Sequence, residues 1–157
     1  MAIKPSVTVL CVGKRAEPFA ESGAGHYAVL CRAWCDVSII RLRDRNSEPM
    51  KTQVRKETDA AIEALEGFTG RVVLLTPAGR SLDSLAFASF VEESVHSNGK
   101  LLFLIGGING FAPDILKHVH SAISLSALTF NHHVALVVLA EQIYRALSIA
   151  RHTAYHR

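Results

Sequence analysis

Cysteine is scarce in this 157-residue chain, which has only Cys11, Cys31 and Cys35. An odd, small number of cysteines without a paired framework excludes a disulfide-stabilised secreted domain and indicates a reducing compartment. Cys31 and Cys35 lie four residues apart on a predicted helix, yet no second pair of Cys or His has the spacing of a zinc finger. We therefore interpret the cysteines as small buried apolar residues, and we expect a cytoplasmic protein that binds no metal.

Long hydrophobic runs and dense charge of one sign are also missing. The apolar run at residues 6–12 is too short for a membrane anchor and has no cleavage signal, so we predict a strand there and no membrane partner. The 17 Lys and Arg residues are spread along the chain, and the net charge is +3. That balance permits an anionic partner without indicating a nucleic-acid-binding tail.

Two phosphate-binding motifs are absent as well. The dinucleotide fingerprint G-x-G-x-x-G would require a glycine where Ile105 stands, and no G-x-x-x-x-G-K-[ST] occurs. The histidine pairs His118/His120 and His132/His133 have spacings that do not place both rings on one helix face, so they predict no metal site. An unrelated nucleotide-binding α/β enzyme is therefore only an alternative interpretation.

Short apolar runs alternate with amphipathic segments along the whole chain. They predict strands at 6–12, 37–42, 71–75, 101–105 and 121–130, and helices at about 19–34, 50–65, 84–97, 113–119 and 133–150. This alternation predicts a single α/β domain over residues 1–157, with a parallel-rich sheet and helices on both faces. Ligands of such sheets bind beyond the carboxyl ends of the strands. We therefore expect the loops at 75–81, 106–111 and 129–133 to share one rim.

The glycine loop after the fourth predicted strand is the first candidate site. Gly106 and Gly107 carry no Cβ, so their backbone can approach a ligand closely, although a tight turn is an equally good explanation of the pattern. The helix at 84–97 is predicted to bury Leu85, either Phe87 or Ala88, Val91 and Val95. The helix at 50–65 is predicted to bury one apolar stripe and to expose its charged residues, Lys51, Arg55, Lys56, Glu57 and Glu63.

The last helix and the residues after it differ from the rest of the chain. The helix is apolar around nearly its whole circumference, so we expect a second copy of the chain to cover one side of it. Glu141 and Arg145 have the four-residue spacing of an ion pair. The terminal Tyr155, His156 and Arg157 are explained either as a frayed surface or as an RNA-contacting or catalytic tail, since aromatic rings stack on bases and Arg binds phosphate.

Together these motifs resemble the RlmH family of SPOUT-class methyltransferases, which methylate N3 of a pseudouridine in bacterial large-subunit ribosomal RNA. The resemblance runs nearly end to end. The motifs that carry it are Val12-Gly13-Lys14, Gly79-Arg80 with residues 84–88, Ile105-Gly106-Gly107 with Asn109-Gly110-Phe111, residues 125–130, residues 141–146 and the terminal Tyr155-His156-Arg157. The chain departs from the family at Asn131, Leu136 and Thr76, where relatives usually carry Pro, Arg and an acidic residue.

The resemblance implies a trefoil knot in the carboxyl-terminal half, a homodimer formed through the last helix, and S-adenosylmethionine bound by the knot loops. The cofactor contacts carried over by position are Leu75, Gly106, Gly107, Ser126, Ala127, Leu128, Thr129, Phe130 and Asn131. Catalysis would fall to the tail, with Arg157 stabilising negative charge and Tyr155 holding His156 as the base, either within one chain or across the dimer. The substrate would be free ribosomal RNA or the assembled ribosome. The alternative function is a catalytically weak RNA- or ribosome-binding dimer of the same fold.

Overall fold

Strands and helices alternate along the chain in a computed structural model that describes residues 3–14 and 17–157. The strands are β1 (Ser6–Val12), β2 (Asp36–Leu42), β3 (Arg71–Ser81), β4 (Lys100–Ile105) and β5 (Ser121–Ser124), and the helices are α1 (Pro18–Cys31), α2 (Met50–Leu65), α3 (Ser84–Asn98) and α4 (His132–Ala150). Two short 3-10 helices span Pro113–His118 and Ala154–His156. The predicted α/β class is confirmed.

The five strands form one sheet in the order β2-β1-β4-β3-β5, and every pairing is parallel. In β4, which lies at the centre, every residue after Lys100 is buried. A continuous apolar run is expected for a strand that is covered on both faces. The glycine loop that follows β4 therefore leaves from the middle of the sheet.

Helices cover both faces of the sheet, as predicted. One face packs under α1, α3 and α4, with Val9, Phe103 and Leu139 in its core. The other face packs under α2 and the 3-10 helix at Pro113–His118, with Leu10 and Leu104 in its core. Neighbouring residues of β1 and β4 thus enter opposite cores, because successive strand side chains point to opposite faces.

The predicted boundaries of the third and fifth strands are wrong. β3 does not end at Leu75, because it shifts register and pairs with β5 a second time through Arg80 and Ser81. The fifth strand ends at Ser124 rather than at residue 130. The Ser124 hydroxyl donates to the Ser126 carbonyl oxygen at 2.9 Å, and the Ser126 hydroxyl accepts from the Leu128 N–H at 2.9 Å. These local bonds turn the chain out of the sheet, as hydroxyl side chains do when they compete with ladder hydrogen bonds.

The segment between β5 and α4 crosses the carboxyl edge of the sheet. It starts at β5, an edge strand, and ends beside β1, since His132 Nε2 lies 3.3 Å from the position that a Cβ on Gly13 would occupy. It must therefore pass the carboxyl ends of β3 and β4. At its end, the Asn131 side chain accepts a hydrogen bond from the Val134 N–H at 2.9 Å and caps α4.

Two predicted side-chain environments are wrong, and one is confirmed. Leu85 is 57% exposed, because it lies in the first turn of α3 outside the core. Glu57 is 1% exposed, because the loop after β2 folds over that part of α2 and donates a backbone N–H to its carboxylate. The cysteines are buried free thiols, as predicted, and burial raises the pKa of Cys31 to about 12 and that of Cys35 to about 11.

Helix α4 is a core helix. By length and composition alone it would be able to cross a membrane, and no other helix in the described part of the chain would. It packs between α1 and α3, and Leu136, Leu139, Ile143 and Leu147 are buried. Burial of this face within a single chain explains part of its apolar character, because 39% of the helix is buried. Coverage of the remainder by a second copy stays a prediction.

Candidate functional site

A cavity of about 860 Å³ lies beyond the carboxyl ends of the strands. Its walls are residues 13–14 after β1, four residues between 43 and 47 after β2, residues 107–108 after β4, and residues 129–133 at the start of α4. Parallel strands bring these loops together, because their carboxyl ends meet at the same edge of the sheet. The cavity therefore occupies the edge where the sequence predicts a ligand.

Glycine is required on the β4 side of the cavity. A Cβ on Gly107 would lie 2.8 Å from Glu57 Oε2 and 3.1 Å from Val12 Cγ1. A Cβ on Gly106 would lie 3.1 Å from the Gly110 Cα, and Gly110 itself has a left-handed φ of 65°. A side chain at either glycine would therefore have to displace these neighbours. The loop thus presents bare backbone to the cavity, and the tight turn and the ligand-facing wall are features of the same segment.

The structure brings together part of the predicted cofactor set. Gly107, Thr129, Phe130 and Asn131 line the cavity. The other predicted residues are outside its lining: Gly106 adjoins Gly107 in the loop, Leu75 is half-buried between β4 and β5, Ser126 is held by the turn after β5, and Ala127 and Leu128 are exposed. Only the part of the predicted set that lies nearest β1 therefore faces the cavity, and the part beside β3 and β5 does not.

The sequence interpretation missed the opposite wall. Lys14 and Arg43 bring positive charge to the cavity, and Asp44 and Asn46 bring polar side chains. The loops of β1 and β2 are tied together where Asp44 Oδ2 accepts a hydrogen bond from the Lys14 N–H at 3.2 Å. Strand alternation predicts that these loops share the rim, but the strand order that places β1 and β2 beside β4 is a long-range property that no local pattern contains.

His132 and His133 are the first two residues of α4, and their ring centroids are 4.0 Å apart. Burial, and secondarily the neighbouring His133, lower the pKa of His132 below its ordinary value of 6.5. The His132 ring is therefore neutral at pH 7. Within residues 3–14 and 17–157, no group of three or more His, Cys, Asp or Glu residues has the arrangement of a metal site.

The carboxyl-terminal tail is folded against α4 rather than frayed. The Tyr155 hydroxyl donates to Glu141 Oε1 at 3.0 Å, and its ring packs edge-on against Tyr144 at 4.7 Å. The Arg145 guanidinium lies 4.8 Å above the Tyr155 ring, and its Nη1 is 3.3 Å from His156 Nδ1. The predicted ion pair is confirmed, with Arg145 Nη2 2.6 Å from Glu141 Oε1.

Tyr155 holds the tail against α4, and its phenol stays protonated. Partial burial, and then hydrogen bonds involving Tyr27 and Glu141, raise the pKa of Tyr155. The hydroxyl therefore remains a donor to Glu141 at neutral pH. The hydrogen bond to Glu141, and secondarily the negative charge of that carboxylate, hold the pKa of the Arg145 guanidinium above its usual value, so this group stays charged.

The cavity and the tail lie at different places along α4. His132 begins the helix at the cavity, whereas Tyr155 contacts Glu141, which lies about 14 Å further along the helix axis at 1.5 Å per residue. Tyr155, His156 and Arg157 are absent from the cavity lining. A single chain thus keeps its predicted cofactor loop apart from its predicted catalytic tail.

Comparisons with known proteins match nearly the whole chain to methyltransferases. A family profile described as "Predicted SPOUT methyltransferase" matches residues 6–156. A Thermotoga neapolitana protein named "Ribosomal RNA large subunit methyltransferase H" is 32% identical over 94% of this chain and 97% of its own. A Wolinella succinogenes protein of the same name is 35% identical over 96% of this chain and 99% of its own.

A solved structure has a similar fold. The Bordetella pertussis "Probable Methyltransferase" superposes with a TM-score of 0.55 at 17% identity, covering 90% of this chain and 93% of that protein. At this level of identity the likeness supports the fold alone.

Proposed function

The chain belongs to the SPOUT methyltransferase family, and from that premise we propose that it methylates N3 of a pseudouridine in large-subunit ribosomal RNA. Relatives at about one-third identity over nearly their full length are named for ribosomal RNA methylation, so the chain is an rRNA methyltransferase. The observation that carries the proposal is the cavity itself: Gly107 and residues 129–131 line it, and the family resemblance assigns these residues to the methyl donor.

The cavity fits S-adenosylmethionine in size and in chemistry. Its 860 Å³ volume lies within the usual range of cofactor sites. Gly107 lines the cavity without a side chain, so its backbone is available to contact a ligand. When bound, S-adenosylmethionine supplies a methyl group on a sulfonium, which is transferred by in-line displacement.

The protein's contribution is mainly to hold the two reactants in line. Gly107 and residues 129–131 would hold the donor from the cavity wall. Gly106, Leu75 and residues 126–128 would complete the site from the same edge of the sheet. Holding two reactants in the right geometry removes much of the entropic barrier to their reaction.

The acceptor nitrogen requires help from a charged group. N3 of pseudouridine is an imide that is protonated at neutral pH, so a base must take its proton or a cation must stabilise the anion that forms. We assign these roles to His156 and Arg157, with Tyr155 fixing the tail against Glu141. Because the tail lies along α4 away from its own cavity, we propose that each cavity is completed by the tail of a second chain in a homodimer formed through α4.

The path of the chain supports the proposed trefoil knot. Gly79 lies so close to β5 that a Cβ there would come within 2.6 Å of the Ile123 backbone. The segment after β5 then crosses the ends of β3 and β4 to reach β1. We propose that residues 76–82 form the loop through which this segment passes.

The substrate and the compartment follow from the same proposal. A net charge of +3 is modest for a protein that binds RNA through phosphate contacts alone. We therefore propose that RNA shape in the assembled large subunit contributes much of the affinity, and that the protein acts in the cytoplasm.

Mass spectrometry of rRNA nucleosides tests this function directly. Ribosomes from cells that lack the gene are incubated with the purified protein and S-adenosylmethionine, in parallel with free rRNA. We expect 3-methylpseudouridine to appear in the large-subunit RNA, and more of it from ribosomes than from free RNA. Donor binding without any methylated nucleoside would contradict the proposal and favour an RNA-binding dimer that has lost catalysis.

A further inference from the structure

Glu57 is a buried carboxylate at the back of the cavity. Its Oε1 accepts hydrogen bonds from the Arg45 backbone N–H at 2.8 Å and from Gln53 Nε2 at 3.2 Å. The Gln53 side chain is also bonded to Asn46 at 2.8 Å and to Asn109 at 2.9 Å. This network ties α2 to the loop after β2 and to the glycine loop, and it fixes the position of the Glu57 carboxylate.

The second carboxylate oxygen points towards the cavity wall. Among the residues that the structure describes, Oε2 is buried and has no hydrogen-bond partner, and it lies 2.8 Å from the position that a Cβ on Gly107 would occupy. Gly107 lines the cavity, so a single glycine separates Oε2 from the ligand space. None of the salt bridges found in residues 3–14 and 17–157 involves Glu57. Within that part of the chain, its carboxylate has no salt-bridge partner.

Burying the Glu57 carboxylate in this way destabilises the folded state, whereas an apolar side chain at this position would carry no such cost. A buried charge that lacks a counter-ion loses hydration without recovering it. The same burial weakens solvent screening, so the Glu57 carboxylate acts strongly on any charge placed in the cavity. Lys14 and Arg43 also line the cavity, but both are exposed, and solvent screens their charges more effectively.

We propose that Glu57 is the counter-charge through which the cavity binds the cationic methyl donor in preference to its neutral product. The inference rests on the proposed function. In the transfer, the S–CH₃ bond breaks with its electron pair remaining on sulfur, the N3–CH₃ bond forms, and the N3 proton leaves to a base. The sulfonium becomes an uncharged thioether, and its attraction to Glu57 is lost. Methyl transfer thus weakens the binding of the product in the cavity and favours its replacement by a new donor molecule.

Calorimetric titration of the full chain with S-adenosylmethionine and S-adenosylhomocysteine measures this discrimination. The variant Glu57→Gln keeps the shape of the side chain and an acceptor for the Arg45 N–H but removes the charge. We expect the ratio of the product Kd to the donor Kd to fall by about three- to tenfold. The control Glu63→Gln, exposed on the same helix, should leave the ratio unchanged. An unchanged ratio would overturn the proposal, whether both Kd values change by the same factor, as a purely structural role requires, or neither Kd changes.

The wild-type protein provides a second test that needs no substitution. Sinefungin carries an ammonium group in place of the sulfonium methyl, so it keeps the positive charge without being a methyl donor. We expect sinefungin to bind more tightly than S-adenosylhomocysteine, and equal or weaker binding would contradict the role of Glu57. A wild-type chain that binds none of the three compounds would instead contradict the proposed function.

Discussion

At the scale of single residues, the cavity depends on a contact that no sequence pattern signals. Glu57 has the periodicity of a water-facing residue on α2, yet it is buried against Gly107. Periodicity assigns a residue to a face of its own helix and carries no information about which loop will cover that face. The glycine, by contrast, is visible in the sequence, because its position after a buried strand already indicates a close backbone approach.

Replacing Gly107 by Ala tests whether the bare backbone is needed. The added methyl group would meet Glu57 Oε2 and Val12 Cγ1, and relieving such overpacking costs about 1–3 kcal/mol. Because Gly107 itself lines the cavity and would be pushed away from Glu57 and Val12, we expect the affinity for S-adenosylmethionine to fall by about tenfold or more, as measured by calorimetry.

Gly25→Ala is the matched control for that substitution. A Cβ on Gly25 would meet nothing within 4 Å, and the residue lies within α1. We expect unchanged donor affinity and a gain in stability of about 0.4–1 kcal/mol, because alanine restricts the unfolded chain. Wild-type donor affinity in Gly107→Ala would show that the wall tolerates a side chain.

At the scale of elements, the apolar runs predict β1, β2 and β4 nearly to the residue, and α2 to the residue. These elements are specified locally, by a β-branched run or an apolar stripe that ends at a turn or at Gly13. The predictions for β3 and β5 fail at their carboxyl ends. There the chain is directed by pairing between the two strands and by the Ser124 and Ser126 hydroxyls, and such tertiary contacts override propensity.

Two of the three departures from the family pattern have a structural explanation at this scale. Asn131 supplies the side-chain cap of α4, a bond that the usual proline would not make. Leu136 is 1% exposed and joins the core between the sheet and α4. Nothing in the structure explains Thr76 in place of an acidic residue.

Removing the tail separates binding from catalysis. A chain that ends at Ala154 keeps every residue that lines the cavity but loses Tyr155, His156 and Arg157. We expect donor affinity to stay within a few-fold of wild type and methyl transfer to fall by at least about 100-fold, the scale of losing a general acid or base. Calorimetry and rRNA nucleoside analysis measure the two quantities.

His118→Ala serves as the control, because this histidine is exposed on the 3-10 helix away from the cavity. It should retain full methyl transfer. Full activity in the truncated chain would remove the tail from the mechanism.

At the scale of the whole molecule, one chain holds the two parts of the proposed site without bringing them together. The cavity lies at the start of α4, and the tail is bonded to Glu141 in the middle of that helix. The sequence predicts both parts through motifs, and it predicts a partner through the apolar circumference of α4. It does not predict the distance between the two parts, because that distance depends on the direction in which the tail folds back.

Mixing two impaired variants, assayed at a donor concentration too low to saturate Gly107→Ala, tests most directly whether the site is shared between chains. One variant is truncated after Ala154 and keeps its cavity, and the other carries Gly107→Ala and keeps its tail. After co-expression, random pairing makes half of the dimers mixed, and each mixed dimer holds one intact cavity facing one intact tail. We predict that methyl transfer to ribosomes recovers to about one quarter of the wild-type rate. Activity no higher than that of either variant alone, in a sample where native mass spectrometry shows the mixed dimer, would contradict a site built from two chains.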